Sequence, residues 1–238
     1  MDLIKNEVKT EEIEKAIRDL ISFPDDRFIK IIREVGFECD RCGKCCTSEF
    51  NDHVFLLDED AERIIKNIGM EFLRPAPYYD FCDNLGRFYV LGYALKNRSG
   101  GNCIFYKGTG CEHYEIRPSI CRIYPYMLNR EADENGVVEW RQIGGLDQHG
   151  LYNSDIDDET CKDIVREVKK YELGFLEQKI RFLHAIKELF GKYALKHSRR
   201  MYDSKMRDFG KGEKIEVHVF FKGKFVKEII CKQIINPG

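Results

Sequence analysis

The stretch Cys39-Asp40-Arg41-Cys42-Gly43-Lys44-Cys45-Cys46 places four thiols within eight residues. C-x-x-C spacing lets two thiolates converge on one metal, while the backbone amides between them can donate to sulfur. Gly43 permits the positive φ that such a loop needs. Metal-bound thiols are deprotonated, so Arg41 and Lys44 favour the charge of the bound form. The adjacent pair Cys45-Cys46 is awkward for one tetrahedral ion, because neighbouring side chains are expected to diverge. Two adjacent thiolates suit different ions or a polynuclear site better.

Working outward, a second set of cysteines follows. Cys103 and Cys111 flank a glycine-rich turn. Cys121 sits in Arg117-Pro118-Ser119-Ile120-Cys121-Arg122-Ile123-Tyr124-Pro125, about one turn into a helix that starts at Pro118. Cys161 falls in the first turn of a long helix. Cys82 lies among aromatics and Cys231 in the apolar run Ile229-Ile230-Cys231, so both read as small buried side chains. His53 and His113 are near enough to the cysteines to be weighed as ligands, with a polar surface role as the alternative. His149, His184, His197 and His218 show no metal-ligand spacing.

The chain has ten cysteines among 238 residues. Met1 to Asp19 is charged throughout and lacks the apolar core of a secretory signal, so a cytoplasmic protein is expected. In that compartment thiols are metal ligands or catalytic groups more often than disulfides. Glutamine occurs only four times while Lys, Glu and Ile abound, a composition that leans towards a thermophile. Hyperthermophile cytosols tolerate disulfides, which keeps structural disulfides as an alternative. The net charge of −2 gives no global field towards nucleic acid or membrane. No run of 18 apolar residues is present, which excludes a transmembrane helix of that kind.

The remaining sequence predicts an α+β fold. Residues 10–22 read as an amphipathic helix with Ile13, Ala16, Ile17, Leu20 and Ile21 on one face. Pro24 suits the first turn of a second helix carrying Phe28, Ile31, Ile32 and Val35, which Gly36 ends. Asp58 is the expected N-cap of a third, with Ala61, Ile64, Ile65 and Ile68 apolar and Gly69 as its stop. Tyr78 to Tyr106 reads as short strands, and Met127 to Ile143 as a hairpin around Asn135-Gly136. Asp158 to about Met206 is helical, with Gly174 and Gly191 as interruptions. Lys214 to Gln233 reads as a two-stranded ribbon turning at Lys222-Gly223. The expected divisions are N-terminal helices over 1–36, a cysteine-rich metal-binding part over 37–165, and a helical segment with a β-ribbon over 166–238. These parts are expected to share one core.

The cysteine pattern resembles the YkgJ family, the zinc- or iron-chelating CxxCxxCC domain. The resemblance rests on Cys39-x2-Cys42-Gly43-x-Cys45-Cys46, on Cys103-Ile104-Phe105, on Gly110-Cys111-Glu112-His113-Tyr114-Glu115-Ile116-Arg117-Pro118, and on Cys121-Arg122-Ile123-Tyr124-Pro125. It covers roughly residues 37–165. It implies eight cysteine ligands: Cys39, Cys42, Cys45, Cys46, Cys103, Cys111, Cys121 and, as the eighth, Cys161. The proline and glycine that often follow the last of these are replaced here by Lys162-Asp163. One branch resembles the FliB flagellin lysine N-methylases and implies methyl transfer from S-adenosylmethionine.

Three functions follow as expectations. The first is a metal protein holding an iron–sulfur cluster or zinc, with redox chemistry as one outlet. The iron–sulfur cluster is favoured, because this density of thiolates exceeds what one tetrahedral ion uses. The second is the lysine methylase; against it, no G-x-G-x-x-G loop is present, and Gly100-Gly101 and Gly144-Gly145 are too short to count. The third is a metal-stapled module with a protein partner. No Ser/His/Asp set or paired-carboxylate signature stands out.

Overall fold

The computed structural model describes residues 3–132, 138–143 and 149–231. In chain order its elements are α1 (Leu3–Ser22), α2 (Asp25–Val35), β1 (Phe55–Leu56), α3 (Asp58–Asn67), β2 (Leu73–Pro75), β3 (Phe81–Cys82), β4 (Phe88–Leu91), β5 (Tyr93–Leu95), α4 (Ser119–Ile123), β6 (Met127–Ala132), β7 (Val138–Ile143), α5 (Asp158–Lys192), α6 (Arg199–Gly210), β8 (Ile215–Phe221) and β9 (Lys224–Ile230). The fold is α+β, as the sequence predicts. Single 3₁₀ turns cover Lys44–Cys46, Met70–Phe72 and Tyr114–Ile116.

Helix α5 organises one layer. Asp157 caps it by accepting from the Thr160 amide at 2.8 Å, and Asp158 and Glu159 complement its dipole. Val165, Val168, Leu176, Leu183, Ile186 and Phe190 form a buried stripe at three- and four-residue spacings. Ile13, Ala16 and Leu20 of α1 and Phe28 and Ile32 of α2 pack against it. Ile21, expected on the buried face of α1, is 63% exposed. Lys169 ties the α1–α2 junction to α5 by donating to the Phe23 carbonyl at 2.7 Å and to Asp25 at 2.5 Å.

The long helical segment breaks later than its glycines suggest. Gly174 and Gly191 both lie within α5. The break falls at Ala194, whose φ of 51° is left-handed, and α6 restarts behind Ser198, whose hydroxyl accepts from the Met201 amide. Two cap assignments also shift by one residue. Pro24 stands at the N-cap of α2, and Leu57 at that of α3. The Asp58 carboxylate is drawn away from capping because it accepts from the Lys222 amide at 3.1 Å.

Three sheets form. β1-β5-β2 and β3-β4-β8-β9 meet at Gly92, where the chain passes from β4 to β5, and β6 pairs with β7. The β6–β7 register runs from Met127↔Ile143 to Ala132↔Val138; Asn135-Gly136 and Gly144-Gly145 lie outside the described residues. The C-terminal ribbon turns at Lys222-Gly223, both with positive φ as a two-residue hairpin turn requires. It is also more than a ribbon. β8 pairs in parallel with β4, Phe88↔Val217 to Leu91↔Phe220, because Ile215, Val217, Val219 and Phe220 bury against the central segment. Among the described residues no helix is long and apolar enough to cross a membrane.

Candidate metal centre

The loop that opens the cysteine pattern is built by local hydrogen bonds. Asp40 accepts from the Cys42 amide at 3.0 Å, and Arg41 and Gly43 take positive φ. The chain then closes a 3₁₀ turn, with Cys46 N donating to the Gly43 carbonyl at 2.9 Å. Asn51 fixes the turn by donating to the Cys45 carbonyl at 2.6 Å.

The second cysteine segment docks directly onto this turn. Cys103 N donates to the Cys46 carbonyl at 2.8 Å. Gly43 and Gly110 lie backbone to backbone: a Cβ on Gly43 would stand 2.8 Å from Gly110 Cα, and one on Gly110 would stand 2.9 Å from the Arg41 carbonyl oxygen. Both glycines have positive φ, so the contact requires them twice over. Cys121 arrives on α4, whose first amide and hydroxyl, those of Ser119, are held by the buried carboxylate of Asp60 on α3.

Seven cysteines, Cys39, Cys42, Cys45, Cys46, Cys103, Cys111 and Cys121, line one cavity of about 80 Å³. Cys46 shares hydrogen bonds with both Cys45 and Cys111. Adjacent thiols therefore do not diverge as the sequence suggests, because the 3₁₀ turn swings Cys45 and Cys46 towards the same side. As donor, Cys46 lowers Cys111 to about 7 and pulls Cys45 below the usual thiol range, while its own thiol is pushed up by those same bonds. Burial pushes Cys103 up to about 11 and Cys121 well above the usual range, and it raises Cys42 too. Thiols this deep stay neutral unless a cation compensates their charge.

Three of the sulfurs share one backbone device. The amide two residues on donates to the sulfur: Lys44 to Cys42, Phe105 to Cys103 and His113 to Cys111. Such bonds favour thiolate over thiol. Arg117 also lines the cavity; its guanidinium stacks 3.7 Å from the Tyr114 ring, with Arg41 at 4.2 Å from that ring. Arg117 Nε is buried without a hydrogen-bond partner, although Cys39, Cys111 and Cys121 surround the guanidinium electrostatically. A buried orphan donor facing thiols suits a site whose sulfurs carry negative charge.

All ten cysteines are free thiols, which goes against the disulfide alternative. Cys161 does not join the seven. It is 0% exposed in the helical core beside Val165, and its thiol donates to the Ile156 carbonyl at 3.7 Å. It belongs to the apolar cluster that includes α1 and α2 residues and does not line the cavity. Cys82 is buried in β3 and Cys231 is exposed after β9, both away from the cavity. His53 hydrogen-bonds Asp52 at 2.5 Å, and the His113 ring packs edge-on against Phe105 and Phe72.

His149 is the residue that sequence spacing misses. It lines the cavity, is 8% exposed, and both ring nitrogens are buried without a hydrogen-bond partner. Burial lowers its pKa from the ordinary value. No local motif marks it, since it lies 28 positions after Cys121.

Among the described residues no group of three or more Cys, His, Asp or Glu side chains is set in an arrangement that could hold a metal ion as it stands. The thiols converge without closing. The donor set nonetheless fits a soft metal or cluster: thiols, amide donors to sulfur and an unpartnered cationic donor, Arg117 Nε, on the cavity lining.

Residues 38–143 match the CxxCxxCC family model, described as a "Putative zinc- or iron-chelating domain". The CxxCxxCC match spans all seven cavity cysteines and stops short of Cys161. It covers a little under half of the chain. An uncharacterized protein of Methanocaldococcus jannaschii is 26% identical over 104 residues, which is 43% of this chain and 51% of that relative. The chain thus spans about half the length of the curated relative it matches. No solved structure matches it.

Proposed function

We propose that this chain is a CxxCxxCC protein of the YkgJ type that holds an iron–sulfur cluster in the cavity lined by Cys39, Cys42, Cys45, Cys46, Cys103, Cys111 and Cys121. The observation that supports a polynuclear centre is the convergence of seven thiols, where a structural zinc uses four ligands. Cys45, Cys46 and Cys111 form its middle. Cys103 and Cys121 form its buried floor, and Cys39 and Cys42 its outer edge. When bound, such a cluster supplies one-electron redox chemistry.

The protein's own contribution is positional and electrostatic. The amides of Lys44, Phe105 and His113 and the Arg117 guanidinium stabilise negative charge on sulfur. Phe105 and Tyr114 exclude water from the cavity walls. Protein purified without oxygen is expected to be brown, to absorb broadly near ~400 nm and to bleach on reduction. Iron and acid-labile sulfide should be found together. A colourless preparation containing zinc and no iron, from cells supplied with both metals, would replace the cluster by zinc.

The eighth cysteine is expected to be dispensable for metal. Cys161→Ala should leave the metal content of the purified protein unchanged. It should lower thermal stability modestly through the small core cavity it opens. Loss of metal in this variant would restore Cys161 to the ligand set.

A further inference from the structure

We infer that His149 is a nitrogen ligand of the metal centre, placed at the outer edge of the cavity beside Cys39 and Cys42. This rests on the metal-binding reading above and adds a ligand that its cysteine pattern does not contain.

The first support is topological. Glu38 and Leu151 form an isolated antiparallel bridge, with each amide donating to the other carbonyl at 2.9 Å. In that register Cys39 stands opposite Gly150 and Asp40 opposite His149. The pairing carries His149 to the start of the cysteine loop across more than 100 residues of sequence. Gly150 makes the approach feasible. Its φ is 81°, and a Cβ there would stand 2.4 Å from the Phe37 ring. Any other residue would strain this left-handed backbone and force the Phe37 ring to shift.

The second support is how the ring is held. Phe50 stacks on it at 4.8 Å with planes 24° apart, and Tyr124 meets it edge-on at 5.2 Å. Aromatic contacts fix its orientation without engaging either nitrogen. One nitrogen of a neutral imidazole is an acceptor lone pair, and leaving it buried and unpaired is costly. The cavity it lines also holds the seven cysteines. A metal ion at that edge gives the lone pair its partner, and the remaining N–H is free to donate to a thiolate. His53 and His113 lack this combination: the first is bonded to Asp52, and the ring of the second is packed between Phe105 and Phe72.

The test uses full-length protein purified anaerobically, in wild-type form and as His149→Ala and His53→Ala. If the metal is iron, pulsed EPR of the reduced protein grown with ¹⁵N-histidine should show one strongly coupled histidine nitrogen. If it is zinc, X-ray absorption should show a nitrogen shell at about 2.0–2.1 Å beside sulfur at about 2.3 Å. In either case the nitrogen signal should vanish in His149→Ala and persist in His53→Ala. An all-sulfur environment in the wild type overturns the inference and leaves the cysteine centre standing. That result does not depend on how the variant folds. A nitrogen signal that survives in His149→Ala also overturns it. Wild-type protein that retains neither metal rejects the metal-binding reading and the inference together.

Discussion

Replacing Cys46 by Ser is expected to strip the metal from the protein and to open the cysteine-rich segment to protease. Three separate contacts converge on this one residue. Its thiol shares hydrogen bonds with Cys45 and Cys111, and its carbonyl accepts from Cys103 N. Serine preserves the size and the backbone bond, so the variant tests the sulfur. A hydroxyl is a poor ligand for a soft metal. Losing an outer hydrogen-bond partner alone costs about 10- to 100-fold in metal affinity, so loss of this central thiol should cost more. The consequence for folding follows from burial. Without metal, Cys103 and Cys121 remain protonated, and their segments are held to the Cys39–Cys46 loop only by the Cys46–Cys103 backbone bond and local packing such as Arg41 on Tyr114 and Gly43 on Gly110. Limited proteolysis should therefore cut between residues 37 and 125, while α5 with α1 and α2 survives on its own apolar stripe. Wild-type protein stripped by a chelator should give the same fragments. A protease pattern identical to that of metal-loaded wild type would mean that the metal is peripheral to the fold.

The gathering of the seven cysteines at one cavity was readable in the sequence, for a definable reason. Thiol spacing within a loop is local, so Cys39 to Cys46 could be read directly, and Gly43 takes the positive φ expected of it. The apolar period of α5 and the Lys222-Gly223 turn are equally local. What escaped depends on partners distant in sequence. Asp58 begins α3 and does not cap it, because the Lys222 amide claims its carboxylate. β8 lies beside β4 because an apolar strand finds an apolar neighbour more than 100 residues away, which no period announces. Cys161 faces the helical core because the phase of α5 is set by Val165 and Val168. His149 enters the cavity through the Glu38–Leu151 bridge, which pairs two segments with no shared motif. Side-chain direction at Cys45-Cys46 was misjudged for a local reason: a 3₁₀ turn rotates neighbours far less than an extended strand does.

Asp60→Ala is expected to be strongly destabilising, and to weaken the metal site without touching a ligand. Asp60 is 0% exposed. It accepts from Ser119 N at 3.0 and 3.1 Å, from the Ser119 hydroxyl at 2.8 Å and from Arg63 Nη2 at 2.6 Å. The first two bonds cap α4 from outside the helix, with a carboxylate at its positive end. Arg63 also donates to the Arg117 carbonyl at 3.1 Å, so one buried pair fixes both the residue that faces the thiols and the helix that carries Cys121. Removing the carboxylate leaves Arg63 largely buried without its counter-charge and the Ser119 amide without an acceptor. Breaking such a pair costs about 3–5 kcal/mol. For a chain of this size that corresponds to a fall in Tm of about 6–20 °C. Asp60→Asn keeps the volume and an acceptor but loses the charge, so it should fall between wild type and Ala. Because α4 is released with its cap, the metal content of Asp60→Ala should also drop, although every cysteine remains. Thermal denaturation and metal analysis on the three proteins decide it. An Asp60→Ala protein within about 1 kcal/mol of wild type, with full metal, would show that α4 is held by the centre itself and not by α3.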